Sequence, residues 1–166
     1  MKLIVAVDRN WGIGRKGGLL FALPPDLKHF KEMTFGKTVV MGRKTLNSLP
    51  GGKPLQGRRN IVLTRNNQFK GSDNLIYVHS AEELFKLIDI NDSDDVYLIG
   101  GAEIYNSLLK YCDELVITKV DSDVEADTFI PNIDNLDDFA PIEESDWQQY
   151  NDLRYKYVIY KRVPPS

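Results

Sequence analysis

The chain has 166 residues, 42% of them hydrophobic and 27% charged, with a formal net charge of −3 at pH 7. That is one domain's worth of sequence, expected to span 1–166 and to bury about two thirds of its unfolded surface without disulfides or metals. The acidic balance argues against a surface built to grip nucleic acid or an anionic membrane. The single Cys112 excludes an internal disulfide, and His29 and His79 are too far apart to promise a metal centre.

Residues 3–7 are a short unbroken apolar run, the pattern of a strand covered on both faces in a parallel or mixed sheet. Five apolar residues before Asp8 are too few for a signal peptide or a membrane span, so a reducing cytoplasm is the expected location. Residues 8–22 carry Gly12, Gly14, Gly17 and Gly18 and no clear period. A loop this long inside a domain is usually functional, often a lid. Trp11, Ile13, Leu19, Leu20 and Phe21 are too apolar for a purely solvated excursion.

A short helix is expected over 23–33, ending near Phe35 and Gly36, and then a strand over 38–41 stopped by Gly42. Arg43, Lys44 and Thr45 open a second helix, closed by Pro50, Gly51 and Gly52. Residues 60–64 and 75–78 read as strands. Ser80-Ala81-Glu82-Glu83 has the form of a capping box, opening a helix through Ile88. Residues 95–99 are strand again, Gly100-Gly101 is a tight break, and 102–111 is helix with Ile104, Tyr105, Leu108 and Leu109 inward. Residues 114–120 form the next strand. Tyr155, Tyr157 and Ile159 alternate with Lys156, Val158 and Tyr160, so an antiparallel hairpin should finish the sheet, leaving Pro164-Pro165-Ser166 as a tail.

This alternation gives an α/β fold of three layers: a central mixed, mostly parallel sheet of about eight strands, about four flanking helices, and an antiparallel C-terminal hairpin. Ligands of such a sheet lie at the carboxyl ends of its strands.

Asp26 is the unusual residue of the first helix. With Asp26 at 0° and about 100° per residue, Phe30 falls near 40°, Leu27 near 100° and Met33 near −20°, whereas Lys28, Lys31 and Glu32 occupy the opposite arc. An acid just after a proline pair also complements the positive end of a helix, but that role suits a solvent-facing position. A carboxylate inside an apolar arc is costly and points to chemistry.

Three strand ends carry polar groups of one kind. Arg43-Lys44-Thr45 offers two cations, a hydroxyl and free amides, Thr64-Arg65 adds a cation and a hydroxyl, and Gly100-Gly101 lets backbone approach a ligand closely. Neither Gly-x-Gly-x-x-Gly nor a P-loop is present, so ordinary Rossmann and nucleotide-triphosphatase readings lose ground. A ligand with several separated phosphates would satisfy all three ends. That describes a dinucleotide, and the arginine pair favours one bearing a ribose 2′-phosphate.

Together the residues form a recognisable set. Leu23-Pro24-x-Asp26-Leu27-x-x-Phe30-Lys31, Val40-Met41-Gly42-Arg43-Lys44-Thr45, Pro54-Leu55-x-Gly57-Arg58-x-Asn60, Ile99-Gly100-Gly101-x-x-Ile104-Tyr105 and Asp127-Thr128-Phe129-x-Pro131 occur in this order, and the chain resembles dihydrofolate reductase over almost its whole length. The resemblance implies NADPH as cofactor, hydride transfer from its nicotinamide C4 to C6 of 7,8-dihydrofolate, and protonation of N5 to give tetrahydrofolate for one-carbon metabolism. It implies Asp26 as the acid that pairs with the pterin's 2-amino group and N3, with Thr118 hydrogen-bonded to it.

By the same resemblance Ile4 and Ile99 offer carbonyls to the pterin edge, Val5, Leu20, Leu27, Phe30, Ser48, Leu49 and Leu55 wall the substrate, and Arg58 clamps the glutamate tail. Ala6 and Ile13 hold the carboxamide of the cofactor and Tyr105 lies near its nicotinamide. Gly14, Gly17, Gly18, Gly42, Leu63, Gly100, Ile104 and Thr128 approach it, Lys44, Thr45, Gly101, Ala102 and Glu103 surround the pyrophosphate, and Arg43, Thr64 and Arg65 face the 2′-phosphate. His79 matches a position near the adenosine, or is an exposed histidine at a strand end. Segment 12–21 would be the lid. No metal is implied, inhibitors of the diaminopyrimidine or diaminopteridine type are, and a monomer is expected.

Three departures stand out: Leu20-Phe21 replaces a common Pro-Trp, Ala102 a frequent third glycine, and Ala126 a glycine. Two rival readings share part of the pattern. An NADPH-dependent pyrimidine reductase of riboflavin synthesis would need neither the Asp26 face nor Arg58, and a non-catalytic NADPH sensor would bind cofactor without consuming it.

Overall fold

The central strands put neighbouring residues into opposite apolar layers, and that alternation decides the architecture. A computed structural model describes residues 1–66, 68–89 and 95–164. In chain order the main sheet contains β1 (Lys2–Val7), β4 (Thr38–Gly42), β5 (Arg59–Leu63), β6 (Leu75–Val78), β7 (Val96–Gly100), β8 (Glu114–Val120), β10 (Phe139–Glu144), β11 (Gln148–Tyr150) and β12 (Leu153–Arg162). Leu3, Val40, Ile61, Leu98, Leu115 and Ile117 face one core, and Ile4, Val39, Met41, Val62, Tyr97 and Val116 face the other.

Helices cover both sides. α3 (Ala81–Leu87) and α4 (Ala102–Leu108) bring Leu84, Ile104 and Leu108 to the first core. α1 (Pro24–Thr34) and α2 (Arg43–Ser48) bring Phe30, Met33 and Leu46 to the second. Ser80 Oγ accepts from the Glu83 amide at 3.1 Å, so the expected cap is in place. The Glu83 carboxylate takes the amide of His79 at 2.7 Å, one residue before the cap.

The strand order is β10-β12-β8-β1-β7-β4-β5-β6, with β11 paired to β12. β1, β4, β5, β6, β7 and β8 run parallel to their neighbours among themselves, and β12 returns antiparallel to β8. The chain leaves β1, steps past the future place of β7, builds β4 to β6 outward, then comes back to lay β7 between β1 and β4. The carboxyl ends of β1, β7 and β4 therefore lie side by side, the switch point where open α/β sheets bind ligands.

Several expectations needed correction. The segment after β1 is a small antiparallel sheet instead of an irregular loop: β2 (Gly12–Arg15) pairs with β3 (Gly18–Leu19) and with β9 (Thr128–Phe129). Asp8 pins its start by accepting the amides of Asn10 at 2.9 Å and Gly12 at 2.8 Å. A Cβ on Gly14 would lie 2.6 Å from Thr128 Oγ1, so β2 and β9 close up only because that position is bare. Ala126 Cβ sits in the space a side chain at Gly12 would need, 2.6 Å from it, so the bare Gly12 leaves room for the alanine.

The C-terminal part is larger than a hairpin. β11 and β12 turn through Asn151 at φ 51°, and β10 adds a further antiparallel strand with a register shift between Pro141 and Glu143. The helix expected over 102–111 gives way after Leu108 to a 3-10 turn at Leu109–Tyr111. Pro165 and Ser166, the end of the expected tail, lie outside the described residues.

Candidate active site

Asp26 stands in the first turn of α1, directly after Pro24 and Pro25. Thr118, in the middle of β8 and 2% exposed, donates its hydroxyl to Asp26 Oδ1 at 2.6 Å. In the sheet Thr118 is flanked by Ala6 of β1 and Tyr157 of β12, so the acid is tied to the centre of the fold. Burial pushes the Asp26 carboxyl above its ordinary 3.8, while the Thr118 hydrogen bond and the charge of His29 pull it back in part. The ring of His29 stacks on Tyr157 at 4.1 Å, and burial lowers its pKa below 6.5. Burial thus weakens the positive charge by which His29 would favour the ionised form of Asp26.

Thr118→Val should therefore move the Asp26 titration, followed by its carboxyl carbon shift, to still higher pH. Removing a donor to the charged form favours the neutral one. Thr118→Ser should restore it; an unmoved titration in the valine variant would mean the hydroxyl does not hold the acid.

From Asp26 an apolar wall runs along α1. Phe30 and Met33 pack with Ile4, Met41, Leu49, Leu55 and Ile99 in one cluster, and Leu27 stays 48% exposed beside it. At the far end of the helix, Arg58 donates to Thr34 Oγ1 at 3.1 Å and to the Gln56 carbonyl at 2.9 Å. Eight residues of helix separate Asp26 from Thr34, about 12 Å of rise. An acid and a cation thus bracket a strip of hydrocarbon. Burial disfavours the charged form of Arg58, which a carboxylate ligand would offset.

The second half of the site is a cleft of about 940 Å³ at the carboxyl ends of β4, β5 and β7. It is lined by Ile13, Gly14, Gly17, Gly18, Gly42, Arg43, Lys44, Thr45, Leu63, Thr64, Arg65, His79, Ile99 and residues 100–105, with Thr128. Val5 and Ser48, expected on the substrate side, also line it. Gly100 has φ 125°, and a Cβ there would come within 3.3 Å of the Tyr105 hydroxyl. Only glycine combines that backbone with that neighbour. Tyr105 donates to the Ile4 carbonyl at 2.8 Å, and burial keeps its hydroxyl protonated. His79 donates from Nδ1 to the Thr64 carbonyl at 2.9 Å, since a carbonyl only accepts, and its Nε2 is left for a ligand.

Two expected positions are not among the residues lining this cleft. Ala6 is beside Thr118 in the sheet and is not among the cleft-lining residues. At the lid, Leu19, 73% exposed, lines the cleft, whereas Leu20 tucks against Gly12. Phe21 packs beside Leu23, Val120 and Tyr155. The cleft also takes in Ser80, Ala81, Ser107, Leu108, Lys110 and Tyr111, which sequence reasoning missed. The capping serine before α3 and the outer turn of α4 gave no hint of their own.

A cleft this size, cationic at one end and glycine-lined at another, beside an apolar strip with an acid, suits a dinucleotide next to a flat heterocycle. The family model described as Dihydrofolate reductase matches residues 1–162. The chain belongs to the dihydrofolate reductase family. It is 34% identical to the dihydrofolate reductase of Staphylococcus haemolyticus over 165 residues, covering 98% of this chain and 96% of that protein. A structure of dihydrofolate reductase from Enterococcus faecalis complexed with NADP(H) and RAB-propyl superposes with a TM-score of 0.83 at 31% identity, covering 98% of this chain and 96% of that one.

A bifunctional dihydrofolate reductase-thymidylate synthase of Glycine max is 36% identical over 181 residues, but this chain spans only 34% of that protein's length. Membership in the dihydrofolate reductase family makes the chain an NADPH-dependent oxidoreductase acting on dihydrofolate. The riboflavin-pathway alternative is not favoured.

Proposed function

We propose that this chain reduces 7,8-dihydrofolate to 5,6,7,8-tetrahydrofolate with Asp26 as the active-site acid and the cleft at the sheet's carboxyl edge as the NADPH site. The observation that carries the reading is the bracket of Asp26 and Arg58 around the apolar strip of α1. The two oxygens of Asp26 match two adjacent donors on a pterin, and hydrocarbon around the pair strengthens it relative to water. Thr118 occupies one lone pair of Oδ1 and fixes the plane of the carboxylate. Arg58, about 12 Å along the helix, is placed for the glutamate carboxylate at the other end of a folate.

Bound in the cleft, NADPH supplies the hydride that reaches pterin C6. Arg43 and Arg65 form the cationic end of the cleft with Thr64 and His79 beside them, and Gly42, Thr45, Gly100 and Gly101 leave room for close backbone approach. Ile13, Gly14, Gly17, Gly18 and Leu19 of the β2–β3 ribbon line the same cleft and would exclude water when it closes. A carboxyl whose pKa is raised by burial retains a proton to higher pH, which suits a reduction that takes up a proton at N5.

The same acid would grip diaminopyrimidine and diaminopteridine inhibitors, which present paired donors of the pterin kind. We read the enzyme as a cytoplasmic monomer. Among the described residues no helix is long and apolar enough to cross a membrane. Two of the exposed apolar side chains, Leu19 and Leu27, belong to the site, and Trp147 is covered by Arg154 at 4.7 Å and Lys156 at 4.8 Å.

The deciding assay follows loss of NADPH absorbance with and without dihydrofolate. Consumption should require the folate; cofactor binding without folate-dependent oxidation would instead support a sensor.

A further inference from the structure

Phe69 lies outside every motif and does not line the cleft, yet its ring carries one of the cleft's cations. The Cζ of Arg43 sits 3.4 Å from the centroid of Phe69. Behind it Phe69 stacks on Tyr77, with centroids 5.4 Å apart and planes at 28°. Tyr77 is on β6, in register with buried Val62 of β5, and packs on the apolar cluster beneath the sheet. Guanidinium, phenyl and phenol form a stack founded on the core.

Among the described residues no carboxylate pairs with Arg43, so the stack satisfies the face of the guanidinium and leaves its N–H edge for a ligand. Among the described residues no aromatic ring supports Arg65, on the exposed stretch after β5. An unrestrained arginine gives up much rotamer freedom when it grips an anion, and a stacked one has already done so.

We propose that Phe69 is a positioning residue for cofactor choice, holding Arg43 flat so that it reads a phosphate on the adenosine ribose. The inference rests on the reading above that Arg43 faces that phosphate. Phe69 acts only through Arg43, so its loss should weaken NADPH and spare NADH.

The test compares KM and Kd for NADPH and NADH in the full chain and in Phe69→Ala, Phe69→Tyr, Arg43→Ala and the double variant Arg43→Ala with Phe69→Ala. Phe69→Ala should narrow the NADPH preference about three- to tenfold, entirely on the NADPH side. Phe69→Tyr, which keeps the ring face, should behave as the parent, and the double variant should be no worse than Arg43→Ala. Equal weakening of both cofactors by Phe69→Ala would reduce the ring to local packing and overturn the proposal. Additive losses in the double variant would also overturn it, because Phe69 would then act on the cofactor independently. If Arg43→Ala itself leaves the preference unchanged, the assignment of Arg43 to the phosphate is what fails, and that outcome is separate from a failure confined to Phe69.

Discussion

Asp26→Asn is expected to lower dihydrofolate reduction at neutral pH by about a hundredfold or more, the scale of a lost acid in proton-coupled chemistry. NADPH affinity should stay within a few fold, since the cleft-lining residues do not include position 26. The amide keeps the size of the side chain and one acceptor, but presents a donor where the pterin also donates, and it has no proton to exchange. Single-turnover hydride transfer with saturating NADPH is the measurement, and an unimpaired variant would refute the role.

The same substitution should stabilise the fold. Burial raises the pKa of Asp26 in the native state above its ordinary 3.8, so between those values the native state holds more protons than the unfolded chain. Stability then falls as pH rises through that window, and the deficit persists above it. The amide of the variant carries no charge to desolvate. Urea unfolding at several pH values should show the variant gaining on the parent as pH rises from near 3.8 and keeping a constant advantage above the raised value. A higher midpoint with lost turnover would mark a residue kept for chemistry at the expense of stability.

The parts of this fold that could be read from the chain are those where local and tertiary physics agree. Strands β4 and β7 are short apolar runs stopped by glycine, and β5 and β8 carry apolar runs at 61–63 and 115–117; both faces of these segments are largely buried, as a parallel sheet requires. β2, β3 and β9 were illegible because strands of two to four residues have no period to show; β2 and β3 form a tight hairpin, and β2 pairs with β9 across more than a hundred positions of sequence. β10 hid for another reason: Pro141 and two acids interrupt the alternation, and the register shift at that point absorbs them.

The site divides the same way. Asp26 betrayed itself by its place on the helical wheel, and the strand ends by their cations. Thr118, 92 positions from its partner, was reached only through the family resemblance, because no local pattern marks a threonine in a buried strand as the donor to a distant acid. The contact of Phe69 with Arg43 is of the same kind: a ring in a polar stretch looks like an isolated surface aromatic until the chain is folded.

Replacing Arg43 and Arg65 together by alanine is the second substitution with a large expected effect. Each charge-assisted hydrogen bond to a phosphate contributes about 1.5–3 kcal/mol, and a factor of ten corresponds to about 1.4 kcal/mol. Each arginine should therefore contribute about ten- to a hundredfold, and the double variant should lose about a hundredfold or more of its preference for NADPH over NADH while NADH affinity holds. The two arginines should contribute unequally. Arg43 is half-buried and stacked, so its contribution should persist at high salt, whereas exposed Arg65 is screened within about 10 Å at 0.1 M salt. Titrating both cofactors against each single variant at low and high ionic strength separates them: the Arg65→Ala loss should fade with salt and the Arg43→Ala loss should remain. A preference that survives both substitutions would move 2′-phosphate recognition onto Lys44, Thr64 and His79, the other polar groups at that end of the cleft.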